Sequence, residues 1–162
     1  MDGFDLLELC VRASQTANVP GDLHVPKVFS LGDIEQLWRR DPSRVRKAID
    51  DVLTSDSPGT GLDLLLRAGA FGALIPEVEA MHRLGDDPEA ALHKDVWDHT
   101  KQVVAGTPAL LELRWAALMH DVGKSQTRRV VMGKVTFHNH DVVGAFMVDR
   151  IQKRLGLFRD DR

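Results

Sequence analysis

The sequence has a single cysteine, no tyrosine and no long uninterrupted run of apolar residues. Cys10 cannot form an internal disulfide, and without a CxxC partner it offers no zinc or redox site, which fits a reducing compartment. No window approaches the roughly 18 apolar residues of a membrane span, and the N-terminus lacks a basic start followed by an apolar run. We therefore expect a cytoplasmic protein without membrane contact.

Charge of either sign is also not in large excess, since 21 Lys and Arg residues stand against 24 Asp and Glu residues, for a net charge of −3. This balance produces no global field toward nucleic acid or acidic membranes, so any phosphate-binding site has to be local. The 162 residues are 43% hydrophobic and 28% charged. These values are typical of one globular domain, or of a small domain with an ordered extension.

Apolar residues recur at intervals of three and four, and runs of alternating β-branched residues are nearly absent, so the sequence predicts an all-α fold. One small β-hairpin is expected from residues 127–131 and 135–137, joined by the turn Met132-Gly133-Lys134. The other predicted segments are helices over 3–17, 31–38, 42–53, 62–68, 88–104, 108–120 and 141–155, a loop over 19–29, and helix caps at Ser30 and Asp41.

Histidines are clustered, because five of the seven fall within 48 residues, and His120-Asp121 ends the most apolar predicted helix. An imidazole and a carboxylate at a helix terminus offer nitrogen and oxygen ligands that suit a divalent metal, and His99 on the preceding helix could supply a third. Such a metal polarises a phosphoryl oxygen and lowers the pKa of water, which favours hydrolysis. The alternative is a chance dipeptide at a helix end.

Basic residues lie close to this pair in the sequence. Lys124 follows Asp121 by three residues and is the best candidate for a phosphate contact. Arg128, Arg129 and Lys134 either extend this phosphate site or form a solvated basic edge.

Three stretches carry a resemblance to a known family: His99-Thr100, the run LRWAALMHDVGK over 113–124 and the run VTFHNHDVVGA over 135–145. Through an HDxGK step and an F-x-x-H-[DE]-x-x-G step they resemble the HD-domain metallophosphohydrolases. More narrowly, they resemble the HD module that follows the polymerase in bacterial CCA-adding tRNA nucleotidyltransferases and poly(A) polymerases. The resemblance is strongest over 91–155, weaker over 42–84, where it is to the helical neck before that module, and absent over 1–30.

The resemblance implies an HD-domain helical bundle in which His99, His120 and Asp121 hold a metal, with His140 where some dinuclear relatives place another ligand. Asp121 and Lys124 would carry catalysis, and Lys124 would contact substrate phosphate. The implied cofactor is a divalent ion (Mg, Mn, Ni, Fe or Zn), and the implied partners are a nucleotide or RNA 3′ end, and tRNA. Further substrate contacts are expected at neighbours of the site, namely Arg114, Arg128 and His138.

The family pattern is incomplete in this sequence. No Gly-Ser is followed by Asp-x-Asp, so the polymerase head is absent and nucleotide addition is not expected. The late acidic ligand of relatives is either missing or replaced by Asp141, Asp149 or a partner chain, although Asp141 is expected to be a helix N-cap. We therefore divide the chain into an N-terminal helical region over 1–84, neck-like from about 42, and a C-terminally short HD-type metal-binding domain over 85–162.

Two functions follow from these patterns. The first is a metal-dependent phosphohydrolase, a phosphatase or cyclic phosphodiesterase, that acts on nucleotide or RNA-end phosphoesters while the metal and Lys124 stabilise developing negative charge. The second is a catalytically inactive fragment that binds tRNA or another protein.

The last predicted helix also bears on assembly. It should direct Val142, Val143, Phe146 and Ile151 toward a core. Because the further helices of relatives are not present to cover its apolar face, we expect the chain to form a homodimer or to bind a partner there.

Overall fold

The computed structural model describes residues 3–16, 31–86 and 95–158, and these residues form the expected all-α bundle with a small two-stranded antiparallel sheet. The predicted loop over 19–29 and the predicted cap at Ser30 lie outside the described residues. In chain order the elements are α1 Gly3–Ser14, α2 Leu31–Arg40, α3 Pro42–Leu53, α4 Pro58–Arg67, α5 Ala70–Leu74, α6 Pro76–His82, a short 3₁₀ helix Arg83–Asp86, α7 Val96–Gly106, α8 Leu111–Met119, α9 Lys124–Thr127, β1 Arg129–Val131, β2 Lys134–Thr136 and α10 His140–Leu155.

Local signals set several of these boundaries. The Asp41 carboxylate accepts a hydrogen bond of 3.0 Å from the Arg44 backbone N–H, and Pro42 occupies the first turn of α3, where its missing N–H costs nothing. The hairpin turns at Met132 and Gly133, which both adopt positive φ. The predicted cap of α3 and the predicted hairpin are thus confirmed.

The helix predicted over 88–104 is interrupted at Asp95, and its described part extends to Gly106. Residues 87–94 lie outside the described part, and Asp95 has an extended backbone with φ −58° and ψ 117°, so α7 begins only at Val96. The Asp95 carboxylate accepts the Asp98 backbone N–H at 2.8 Å and so caps the helix. This cap fixes the start of the helix that carries His99.

The expected orientation of α10 is wrong for two of its four residues. Val142 and Phe146 are 54% and 70% exposed, whereas Ile151 is buried and Val143 is partly buried against the core. The buried positions of α10 are spaced by three and four residues: Gly144, Met147, Ile151 and Leu155. The expectation that Asp141 caps this helix is also wrong, because the N-cap is Asn139, in the left-handed conformation, and Asp141 lies in the first turn.

Buried apolar residues from both predicted regions belong to one core cluster, which extends from Phe4 to Leu157. Polar contacts also join the two regions, since Trp115 Nε1 donates to Asp50 Oδ1 at 2.7 Å and Arg46 donates to the Gly156 carbonyl at 3.1 Å. Within the described ranges, no helix is both long and apolar enough to cross a membrane. The division of the chain at residue 84 stays a prediction.

Candidate metal centre

Asp121 lies at the centre of the candidate site, directly after α8 and its C-terminal residue His120. Its side chain is only 3% exposed. Lys124 Nζ lies 2.6 Å from Asp121 Oδ2, and His120 Nε2 lies 3.2 Å from the same oxygen. A buried carboxylate requires such partners, because an isolated charge removed from water is very unfavourable.

Two of the surrounding imidazoles are oriented by backbone carbonyls. His120 Nδ1–H donates to the Ala117 carbonyl at 2.7 Å, and His140 Nδ1–H donates to the Phe137 carbonyl at 2.9 Å. In a neutral ring this leaves the Nε2 lone pair free, and His140 Nε2 lies 3.5 Å from Asp121 Oδ1. Metal-binding histidines are held in this way, with one nitrogen bonded to the protein and the other directed at the ion.

His99 comes to the site from α7, which packs against α8. Its Nε2 lies 3.9 Å from Asp121 Oδ2, and its ring meets the His120 ring edge to face at a centroid distance of 5.4 Å. One ligand atom from each of His99, His120 and Asp121 lies within 4.8 Å of the others. This donor set could hold a divalent metal, in agreement with the three residues proposed from the sequence.

Gly123 allows His140 to approach. A Cβ built on Gly123 would lie 2.0 Å from the His140 carbonyl oxygen and 2.7 Å from the Gly144 nitrogen, so only glycine fits between α9 and α10. The close backbone contact brings the start of α10 against the segment that carries Asp121. Gly123 was not among the site residues expected from the sequence, although a glycine between the HD pair and a lysine indicates a close backbone approach.

The pKa values of the two central groups shift in opposite directions. Burial alone raises the pKa of Asp121, but hydrogen bonds from His120 and Lys124, together with their charges, outweigh burial and lower it to about 2. The hydrogen bond to Asp121 raises the pKa of His120 above its ordinary value, although burial acts against this. Without a metal, the site therefore favours an ionised carboxylate and attracts positive charge.

The family model for the HD domain matches residues 81–162, which is half of the chain. The chain belongs to the HD-domain family. All the residues of the candidate centre lie inside the matched segment, on α7, α10 and the α8–α9 region.

Curated relatives match beyond the HD domain. A multifunctional CCA protein of Halorhodospira halophila is 29% identical over 132 residues, or 80% of this chain and 31% of that protein. A CC-adding tRNA nucleotidyltransferase of Thermus thermophilus is 37% identical over 109 residues, or 63% of this chain and 25% of that protein. An A-adding tRNA nucleotidyltransferase of Deinococcus radiodurans is 36% identical over 121 residues, or 70% of this chain and 27% of that protein.

The chain therefore spans about a quarter to a third of the length of these relatives. The similarity agrees with the resemblance to the HD module of such proteins. No solved structure matches the chain significantly.

Arg114, expected as a substrate contact of the HD domain, is not brought to the centre. It is 6% exposed, and its guanidinium donates to the carbonyls of Leu53 at 3.0 Å and Pro108 at 3.3 Å. Burial lowers its pKa. These contacts give Arg114 a structural role between α3 and α8.

The other residues expected as contacts or ligands lie on the segments that flank the centre or further along α10. His138 is exposed, two residues before His140, and Arg128 directly follows α9, with its backbone N–H bonded to the Lys124 carbonyl at 3.1 Å. Asp141 and Asp149 are exposed on α10, and Asp149 pairs with Lys153 at 2.8 Å. In the described part of the chain, neither of these two aspartates belongs to the cluster of possible ligands.

Proposed function

We propose that this chain is a divalent-metal-dependent phosphohydrolase that acts on nucleotide or RNA-end phosphoesters. The observation that carries the proposal is the convergence of His99, His120 and Asp121, whose ligand atoms lie within 4.8 Å of one another. His140 adds a third imidazole, and thus a fourth possible ligand, whose Nε2 lies 3.5 Å from the other carboxylate oxygen, Oδ1.

The donor chemistry fits a divalent ion. Mixed imidazole and carboxylate ligands accept several first-row ions, so Mn²⁺, Ni²⁺, Fe²⁺ and Zn²⁺ are candidates, and Mg²⁺ is a further one with fewer nitrogen ligands. We assign the metal to His99, His120 and Asp121, with His140 as an additional ligand. When bound, the ion supplies positive charge that activates water and stabilises phosphoryl oxygens.

The chain's own residues then have separate tasks. Asp121 has two oxygens, so one can face the cation while the other accepts a hydrogen bond from the attacking water and orients it. Lys124 has a side chain that is 19% exposed, and its Nζ lies 2.6 Å from Asp121 Oδ2. From there it can neutralise charge on a phosphoryl oxygen bound at the centre. Arg128 and His138 are proposed as outer contacts to substrate, because both lie beside the centre on segments that reach solvent.

The substrate class comes from the relatives. Their names concern the CCA end of tRNA. The sequence of this chain has no Gly-Ser followed by Asp-x-Asp, the pattern of a nucleotide-adding head. We therefore propose that the phosphoester is a terminal or 2′,3′-cyclic phosphate of a nucleotide or of an RNA 3′ end, with tRNA as the larger partner.

The test combines metal analysis with turnover. Wild-type protein is loaded with Mn²⁺, Ni²⁺, Zn²⁺ or Mg²⁺ and assayed on terminal and 2′,3′-cyclic phosphates. The same assay is made with the site variants His120→Ala and Asp121→Ala, and with the control His82→Ala, which changes a histidine outside the cluster. We expect one or more ions per chain and chelator-sensitive turnover in wild type and control, and loss of both in the two site variants. A folded wild type that binds none of these ions would contradict the proposal.

A catalytically inactive fragment that binds tRNA or another protein is the second candidate, and the match to proteins whose names concern tRNA favours it. RNA binding of this kind should weaken steeply with salt and be indifferent to chelator, whereas metal-dependent turnover of a mononucleotide should respond to chelator.

A further inference from the structure

Lys124 stands at the oxygen on which the metal ligands converge. Its Nζ lies 2.6 Å from Asp121 Oδ2, while His120 Nε2 and His99 Nε2 lie 3.2 and 3.9 Å from that same atom. An ammonium and a divalent ion at one carboxylate oxygen repel each other, because both are positive. The ammonium of Lys124 therefore occupies the carboxylate oxygen that faces both His120 and His99.

The backbone holds Lys124 in this position. Its N–H donates to the Asp121 carbonyl at 2.9 Å, which fixes the separation of the two residues at the start of α9. The side chain is only 19% exposed, so it does not sample solvent freely. Its Nζ also lies 5.5 Å from the centroid of the Phe137 ring, which offers a second favourable contact for a positive charge.

We propose that Lys124 is an internal counter-ion that competes with the divalent cation for Asp121 Oδ2 and is displaced toward the Phe137 face and the substrate phosphate when the cation binds. The inference rests on the proposed metal site and adds how that site is regulated. Metal loading and the release of a phosphate-binding ammonium become one coupled event.

The coupling follows from the burial of Asp121. A buried carboxylate without a partner is strongly unfavourable, so Lys124 supplies the missing charge while the metal is absent. Only the state in which Lys124 is displaced binds metal well. The apparent dissociation constant for metal is therefore the intrinsic constant divided by the fraction of molecules in that state. If that fraction is about a tenth, removing the ammonium should tighten metal binding about tenfold.

The first experiment measures the dissociation constant of Zn²⁺ and of Mn²⁺ by competition with a chromophoric chelator. Lys124→Met keeps the length of the side chain and removes its charge. Lys153→Met removes the same charge from an exposed position on α10, where the lysine is 73% exposed. We expect binding about tenfold tighter in Lys124→Met and unchanged in Lys153→Met. Equal affinities in all three proteins would overturn the inference while leaving the metal site intact.

The second experiment uses the wild type alone, so it does not depend on the folding of a variant. In the metal-free protein at low temperature, the hydrogen-bonded ammonium of Lys124 should give a protected ¹H–¹⁵N signal. Saturation with diamagnetic Zn²⁺ should shift this signal or remove it by exposing the ammonium to exchange. An unchanged signal at full Zn²⁺ occupancy would overturn the inference. If no ion binds to the wild type or to Lys124→Met, both the inference and the proposed function fail.

Discussion

The charge state of His120 depends first on Asp121, because the hydrogen bond between them is the largest cause of its raised pKa. A histidine whose pKa is raised by folding stabilises the metal-free fold at pH values below its pKa in the unfolded chain, which is near 6.5. This contribution is lost as the pH rises through the pKa of the folded state. Metal affinity changes in the opposite sense, since protons compete for Nε2 as pH falls through the same pKa.

We therefore expect Asp121→Asn to lower the pKa of His120 toward its ordinary value. The titration is followed by ¹⁵N NMR of the imidazole in the presence of chelator. Asp149→Asn is the matched control, because its carboxylate is 58% exposed and pairs with Lys153 on α10. A His120 titration that is identical in wild type and Asp121→Asn would show that the hydrogen bond does not determine its charge.

Arg114 provides a second prediction at this scale. Arg114→Met removes the charged donors to Leu53 and Pro108, so we expect a loss of about 2–4 kcal/mol in the free energy of unfolding, measured with urea, and no change in metal affinity. Arg150→Met, at an exposed position of α10, should change stability by less than about 0.5 kcal/mol. A stable Arg114→Met protein with weakened nucleotide binding would restore the substrate contact expected from the sequence.

Single residues show which features a sequence can reveal. Asp41 and Gly133 act on neighbours within three positions, so local patterns predicted the cap of α3 and the hairpin turn. The cluster of His99, His120 and Asp121 was recoverable because its spacing resembles that of a known family. One partner of Arg114, the Leu53 carbonyl, lies 61 residues earlier in the chain, and no local pattern encodes a contact over that distance.

At the scale of elements, the site depends on how closely α9 and α10 approach each other. Gly123→Ala would place a methyl group 2.0 Å from the His140 carbonyl oxygen, and backbone atoms cannot move aside without displacing α10. We expect a loss of about 3 kcal/mol in stability together with weaker metal binding, because His140 moves away from Asp121.

Two other glycines serve as controls for this prediction. A Cβ at Gly106 has no neighbour within 4 Å, and a Cβ at Gly144 lies 3.5 Å from the Gly123 nitrogen, an ordinary contact. Urea unfolding and metal affinity of Gly106→Ala and Gly144→Ala should both stay near wild type. A Gly123→Ala protein as stable as these two would mean that the helices do not need their close approach.

Elements also show why some sequence expectations failed. The apolar residues of α10 occupy more than one face, so periodicity could not choose between Phe146, which is 70% exposed, and Met147, which is buried. The sequence signals at Pro88 and at Asp95 are both typical of a helix start. In the structure Asp95 is the N-cap of α7. The expected homodimer through Val142 and Phe146 stays a prediction, checked by sedimentation of wild type against Phe146→Ser.

At the scale of the whole molecule, the contacts between the two halves decide how the protein unfolds. Trp115 donates to Asp50, Arg46 donates to the Gly156 carbonyl, and Arg154 donates to the Leu74 carbonyl at 3.1 Å. The Asp50 side chain is only 18% exposed, and burial raises its pKa. Residues before 84 and after 95 thus share one interior, and cooperative unfolding is the expected consequence.

We expect the chain to unfold in a single transition, with helix content by circular dichroism and tryptophan fluorescence giving the same urea midpoint. Of the three tryptophans, Trp97 and Trp115 are buried in the second half and Trp38 lies on α2, so in a Trp38→Phe background fluorescence reports on the second half. Ile49→Ala creates a cavity in α3 at a side chain only 1% exposed. It should lower both urea midpoints together, with a loss of about 2–4 kcal/mol in the free energy of unfolding. The surface change Lys47→Ala should move neither midpoint. If Ile49→Ala lowers only the helix signal and leaves the fluorescence midpoint in place, the two regions unfold independently, and the division near residue 84 is a true domain boundary.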